Sequence, residues 1–227
     1  MKTNSAYNGL IDLHTHSLLS DGVLLPSELV RRYEVCGFKA VAITDHADSS
    51  NIDFIIPALL NVCSKLNRYW KIRAIPGVEL THLPTQQFLE LTKYARKNGA
   101  KVIVAHGETT AEPVIKGTNR AAIEAGVDIL AHPGYISIED ARLAAEKGVL
   151  LEITTRRGHS ATNEYVAQTA KDASAKLIIN SDSHTPADIP AKDLFEKTAK
   201  AARLLKEEIS QAYLNSENML KKIIRLT

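Results

Sequence analysis

Seven strand-then-helix units closing into a single (β/α)7 barrel, an α/β fold, are expected of this chain on three grounds. Seven short, almost wholly apolar runs alternate with amphipathic segments along its 227 residues, a pattern of parallel strands covered on the outside by helices rather than of half-exposed strands. Glycines punctuate the helix-to-strand passages. At least six of the seven runs end on a histidine or a carboxylate. An open sheet gathers ligands at one switch point, whereas a barrel collects them from several strands at one mouth, so closure is favoured. Right-handed crossovers make successive units curl the same way.

The runs, in order, are "LIDLH" from Leu10, "AVAITD" from Ala40, "IRAIPGVE" from Ile72, "KVIVAH" from Lys101, "VDILAH" from Val127, "VLLEIT" from Val149 and "KLIINSD" from Lys176. Gly37, Gly99, Gly126 and Gly148 each stand between a helical stretch and the next strand, where glycine supplies a left-handed C-terminal cap. Ser137, with Asp140 three residues on, resembles a capping box opening the helix "IEDARLAAEKG", with Asp where Glu or Gln is usual. From about Ala199 the sequence is helical and ends in the basic "MLKKIIRLT". This extension could cap the barrel, mediate dimerisation or form an outer helix, and a homo-oligomer stays open.

One domain over residues 1–227 is the expectation, since barrels of this size commonly form one unit. A chain this long buries roughly 70 to 75% of its unfolded surface, so it needs neither disulfides nor a structural metal to fold, and any metal serves function. The formal charge is +2, from 28 Lys and Arg against 26 Asp and Glu. No long block of one sign appears, which argues against nucleic-acid or membrane binding through bulk charge. Cys36 and Cys63 lie in helical sequence at unrelated spacing and read as reduced core residues. Neither a leader in "MKTNSAYNGL" nor a membrane-spanning run is visible. A cytoplasmic protein is expected.

The residues that carry chemistry sit at the strand ends. In "DLHTH" a strand period of two puts Asp12, His14 and His16 on one face, so both imidazoles reach one ion. As a pair they also fit polar residues satisfied near a strand end. "SDSH" repeats the spacing with Asp182 and His184 on the last strand, beside the first in a closed barrel. His106 in "AHG" and His132 in "AHP" end neighbouring strands; singly each reads as structural, together as a facing pair. Glu79 ends an apolar strand, where a carboxylate is costly to bury without a cation. Asp21 in "SDG" and the Asp45–His46 pair in "TDH" complete the set.

This arrangement resembles the polymerase and histidinol phosphatase (PHP) family of metal-dependent phosphoesterases, over nearly the whole chain. The resemblance implies a distorted seven-stranded barrel with up to three divalent ions, and all nine usual ligand positions carry an acceptable residue. By that resemblance His14, His16, Glu79 and Asp182 hold one ion, Glu79 with His106 and His132 a second, and Asp21, His46 and His184 a third. Some members have histidine at the position of Asp21, so two or three ions are expected. Histidines mixed with carboxylates suit zinc, iron and manganese alike.

Three divalent ions over three carboxylates leave +3 and two ions leave +1, a charge that attracts a phosphate dianion. The expected nucleophile is a metal-bound hydroxide, since no activated Ser or Cys motif is visible. Asp45 either relays a proton or orients a ligand histidine. Arg156 and Arg157 in "TTRRGHS" follow the sixth strand. Either guanidinium suits phosphate, and the resemblance puts an arginine in this region. His159 in the same loop, His82 in "ELTHLP", and Lys116 and Arg120 around "KGTN" are further substrate candidates; His82 alternatively caps its loop, and the last two reach an anion at a helix N-terminus.

The leading expectation is a phosphomonoesterase of a small phosphorylated metabolite, histidinol phosphate being one that the family name suggests. A phosphodiesterase or nuclease, as in PHP modules attached to DNA polymerases, is the alternative. It would want a basic track with stacking aromatics, and aromatic content is 5%. Amide or lactone hydrolysis ranks third, because the carboxylated lysine common in such barrels has no counterpart here.

Overall fold

A computed structural model describes residues 9–191 and 193–225. The first eight residues, within the stretch read above as lacking a leader, and the last two of the basic terminus lie outside them. Eight parallel strands form one sheet: β1 (Leu10–Asp12), β2 (Phe38–Ile43), β3 (His46–Ala47), β4 (Arg73–Leu80), β5 (Val102–His106), β6 (Ile129–Ala131), β7 (Leu150–Thr154) and β8 (Leu177–Asn180). They pair in the order β1-β2-β4-β5-β6-β7-β8, with β3 also on β4. The expected second strand is thus split: β2 and β3 both run along β4, with Thr44 and Asp45 between them. Counted as one, they leave the seven expected units.

Helices follow the strands: α1 (Pro26–Val35), α2 (Ile52–Tyr69), α3 (Phe88–Lys97), α4 (Thr118–Ala125), α5 (Ile138–Lys147), α6 (Asn163–Ala173), α7 (Leu194–Ala201) and α8 (Lys206–Arg225). Gly37, Gly99, Gly126 and Gly148 all take left-handed backbone, with φ from 73° to 101°. At α5 the Ser137 hydroxyl accepts from the Asp140 N–H at 3.1 Å. Asp140 instead pairs with Arg120 at 2.7 Å, so Ser137 caps alone and the reciprocal half of the expected box is replaced by an ion pair.

Among the described residues the first and last strands meet at the C-terminal mouth of the barrel. There His16 N–H donates to Ser183 O and Asp182 N–H to His14 O, both at 2.9 Å, and Thr15 bridges Ser183. Below, α8 lies along β8 and β1: Asn215 Nδ2 donates to Leu177 O at 2.8 Å and Glu217 pairs with Lys39. Its Leu220 and Ile223 pack among Ile11, Ala40, Ile75, Val102 and Ile129 in the barrel interior. Of the roles open to the C-terminal segment, capping the barrel fits α8, whose Leu220 and Ile223 cover the interior floor.

A strand period of two then sets the layers. Going up β5, Val102 and Val104 are apolar interior and His106 follows; β4 runs Ile75, Gly77, Glu79; β8 runs Ile178, Asn180, Asp182. Apolar floor and polar mouth therefore come from the same strand faces. Outward residues such as Val41, Ile43, Ile103, Leu130 and Leu151 join the helices in the larger core.

Candidate metal centre

Eight imidazoles and their carboxylates meet at this mouth. His14 Nε2 lies 3.1 Å from His16 Nε2 and 3.3 Å from Glu79 Oε1, and His16 Nε2 is 3.2 Å from Asp182 Oδ1. Beside them, Asp21 Oδ1 is 3.2 Å from His184 Nε2 and 3.5 Å from His46 Nε2. His132 Nε2 stands 3.7 Å from both Glu79 and Asp182. Donors bound at 2.0–2.1 Å to one tetrahedral ion are about 3.3 Å apart, so these spacings are those of ligands sharing ions. His132 and Asp182 have φ of 29° and 55°. Such backbone is unfavourable for side chains with a Cβ and recurs at functional sites.

The fit to a cation shows most clearly at Glu79. The residue is fully buried, and neither carboxylate oxygen accepts a well-aimed hydrogen bond although four imidazoles lie within 3.7 Å. An ionised carboxylate so placed wants a cation. Burial opposes its charge, but His14 and His46 hold it ionised, well below the usual range. Burial, with repulsion from neighbouring imidazoles, keeps His16 and His132 neutral, the form that ligates. For His46 burial pulls down and Glu79 more than offsets it, to about 10. Burial pushes Asp182 up to about 7.

Two carboxylates absent from the sequence reading join the centre. Glu152, fully buried on β7, sits 2.8 Å from His14 Nδ1 and accepts from Asn180 Nδ2 at 2.9 Å. It fixes the proton on Nδ1 and leaves Nε2 facing the ligands. An acid inside an apolar strand was the signal that marked Glu79, and it was present here too. Glu112, from the loop after β5, lies 3.1 to 3.4 Å from His82, His106 and His159; nothing in "TTAEPV" announced it. With these the centre holds five carboxylates, not three, so three divalent ions leave +1 and two leave −1. The charge expected to attract phosphate is smaller than the sequence suggested.

Other expected residues are placed differently. Asp12 does not share the face of His14 and His16: β1 ends at Asp12, whose carboxylate turns to Tyr33 Oη on α1 at 2.9 Å and the Ser181 N–H at 3.2 Å. Asp45 accepts from Ser17 N–H at 2.6 Å, Ser17 Oγ at 2.7 Å and Ser20 Oγ at 2.8 Å. It therefore braces the turn between His16 and Asp21 rather than a histidine ring. Arg156 reaches the centre, its Nη1 donating to Asp182 O at 3.3 Å, while Arg157 is exposed. Arg120 is engaged by Asp140 and by Glu124 at 3.7 Å, and Lys116 is exposed. His159 is buried, stacked on His132 with ring centroids 4.3 Å apart, and His82 lines the mouth.

A family description, PHP domain, matches residues 12–203. An uncharacterized protein of Methanocaldococcus jannaschii is 44% identical over 215 residues, covering 93% of this chain and 99% of the relative. A protein of Clostridium acetobutylicum named a probable phosphatase is 25% identical over 236 residues, covering 93% and 97%. Among solved structures, a "putative histidinol phosphatase" of Listeria monocytogenes superposes with a TM-score of 0.56 at 12% identity, over 81% of this chain and 98% of that one. A Xaa-Pro dipeptidase gives 0.65 at 13% identity, over 94% and 75%. At such identity these two speak for the fold alone.

Proposed function

Because the chain belongs to the PHP domain family, we propose that it is a metal-dependent phosphatase, hydrolysing the monoester of a small phosphorylated metabolite. The observation that carries this is Glu79, a buried carboxylate without a hydrogen-bond donor, ringed by imidazoles at ligand spacing. His14, His16, Glu79 and Asp182 would hold one divalent ion, and Asp21, His46 and His184 another. Zinc, iron or manganese there supplies Lewis-acid charge to phosphoryl oxygens and to the attacking water.

The chain's own residues supply the rest. Arg156 is the guanidinium we assign to phosphate, in preference to Arg157. Its contacts with Asp182 and Asp188, at 3.3 to 3.7 Å, are long enough to yield to a bidentate anion. Glu152 holds His14 in one tautomer, and Asp45 holds the turn that presents Asp21. The mouth opens into a cavity of about 360 Å³ lined by Asp21, His46, Asp48, Asn51, His82 and Glu112. That volume suits a small metabolite. Among the described residues no helix is long and apolar enough to cross a membrane. A cytoplasmic setting, in keeping with two free cysteines, belongs to the proposal.

The test is a panel of phosphomonoesters and phosphodiesters, histidinol phosphate included, assayed with zinc-, iron- and manganese-loaded protein. Monoester turnover at least tenfold above diester turnover is expected. Equal turnover of both classes would replace the reading with a diesterase.

A further inference from the structure

His106 is the expected ligand that turns from Glu79. Among the described residues it makes no ion pair with that carboxylate. Its Nδ1 faces Gly107 O at 3.2 Å, leaving Nε2 as the ligating atom, and Nε2 lies 3.2 Å from Glu112 Oε2. The same oxygen is 3.1 Å from His82 Nε2. The other oxygen of Glu112 is 3.4 Å from His159 Nε2, whose Nδ1 is taken by Thr109 Oγ1 at 2.7 Å. Three imidazoles, one at the end of β5 and two from the segments after β4 and β7, thus aim at one carboxylate. None of His82, Glu112 and His159 is among the nine positions that the family resemblance supplies.

Donors on one zinc-sized ion at 2.0–2.1 Å stand about 3.3 Å apart, and the contacts of Glu112 match. The ligand atoms of His82, His106 and Glu112 all lie within 4.8 Å of one another. His82 holds its ring there from a left-handed backbone, φ 51°, with ring centroids 5.0 Å from His106. One exposed histidine–glutamate pair is ordinary surface chemistry. Two imidazoles on one carboxylate oxygen, with a third holding the other, are not explained that way.

We propose that His82, His106 and Glu112 form a cation site of their own, for a zinc-class divalent ion, its remaining coordination open to the mouth cavity. His159 is a positioning residue that fixes Glu112. A single Nε2 binds one ion at a time. The ion expected between Glu79, His106 and His132 is therefore moved outward, onto the loops after β4 and β5. This ion also compensates Glu112, one of the two carboxylates that lower the charge of the centre.

The inference rests on the metal-centre reading, and ion counting separates the two. Chelator-stripped full-length protein is titrated with zinc against a chromophoric competitor, for wild type, Glu112→Gln, His82→Ala and His132→Ala, each checked for fold by circular dichroism. Glu112→Gln and His82→Ala are expected each to lose one bound zinc per chain, or to hold it at least tenfold more weakly, with the other ions retained. Wild-type counts and affinities in both overturn the site, as does a loss confined to His132→Ala. A wild-type chain that takes up no zinc removes the metal-centre reading itself.

Discussion

Glu152→Gln tests how far the buried framework, rather than the ligands, governs the centre. In the native chain one oxygen, Oε2, meets both His14 Nδ1 at 2.8 Å and Asn180 Nδ2 at 2.9 Å, while Oε1 has no partner. A glutamine must therefore put its carbonyl at Oε2 and its NH2 where no acceptor waits. The His14 bond survives in neutral form, losing charge assistance of about 1 kcal/mol. The stranded amide costs a further 1–3 kcal/mol of stability, approximately. Loss of a carboxylate behind a ligating imidazole typically weakens metal binding about 10- to 100-fold, or roughly 1.4–2.8 kcal/mol. Zinc affinity by competition and urea unfolding of stripped protein measure the two effects separately. Affinity within twofold of wild type would refute the claim that the charge of Glu152, through its bond to His14 Nδ1, strengthens that imidazole as a ligand.

Three other outcomes are expected. His14→Ala and Asp182→Asn each bring hydrolysis of an aryl phosphate to background with the circular dichroism spectrum retained; unchanged activity in both would discard the assigned ligands. Gly134→Ala destabilises by roughly 2–4 kcal/mol in urea unfolding, because its backbone sits at φ 62° and an added Cβ would fall 1.9 Å from Glu108 O; a shift under about 0.5 kcal/mol would show that the loop relaxes freely. Burial pushes the Cys63 thiol up to about 12. At pH 8 native protein should thus give a thiol reagent at most the partly buried Cys36, and unfolded protein both; two rapid equivalents in the native state would contradict the buried position.

Much of this protein is legible along the chain because parallel strands buried on both faces must be apolar, and helices between them must be amphipathic. Seven such alternations allow a barrel or an open sheet, and candidate ligands at six of the seven strand ends favour the barrel, which gathers those ends at one mouth. That is why His14, Glu79, His132 and Asp182, far apart in sequence, could be read as one centre before any contact was known. Local geometry was less legible. Asp12 left the expected face because β1 stops at Asp12, before the alternation could run on to His14 and His16, and α8 covers the barrel floor because Leu220 and Ile223 pack into it.

The sequence by itself determined the alternating strands and helices, which follow from periodicity, and the placing of most histidines at strand ends, which favours a barrel that brings them together. Only the tertiary structure decided that Glu152 backs His14, that Arg156 rather than Arg157 reaches the mouth, that Asp140 engages Arg120, and that Glu112 draws His106 toward His82. Those outcomes depend on the positions of loops and neighbouring side chains in space. A loop carboxylate carries no periodic signature, and its partners are set by distance after folding, not by spacing before it.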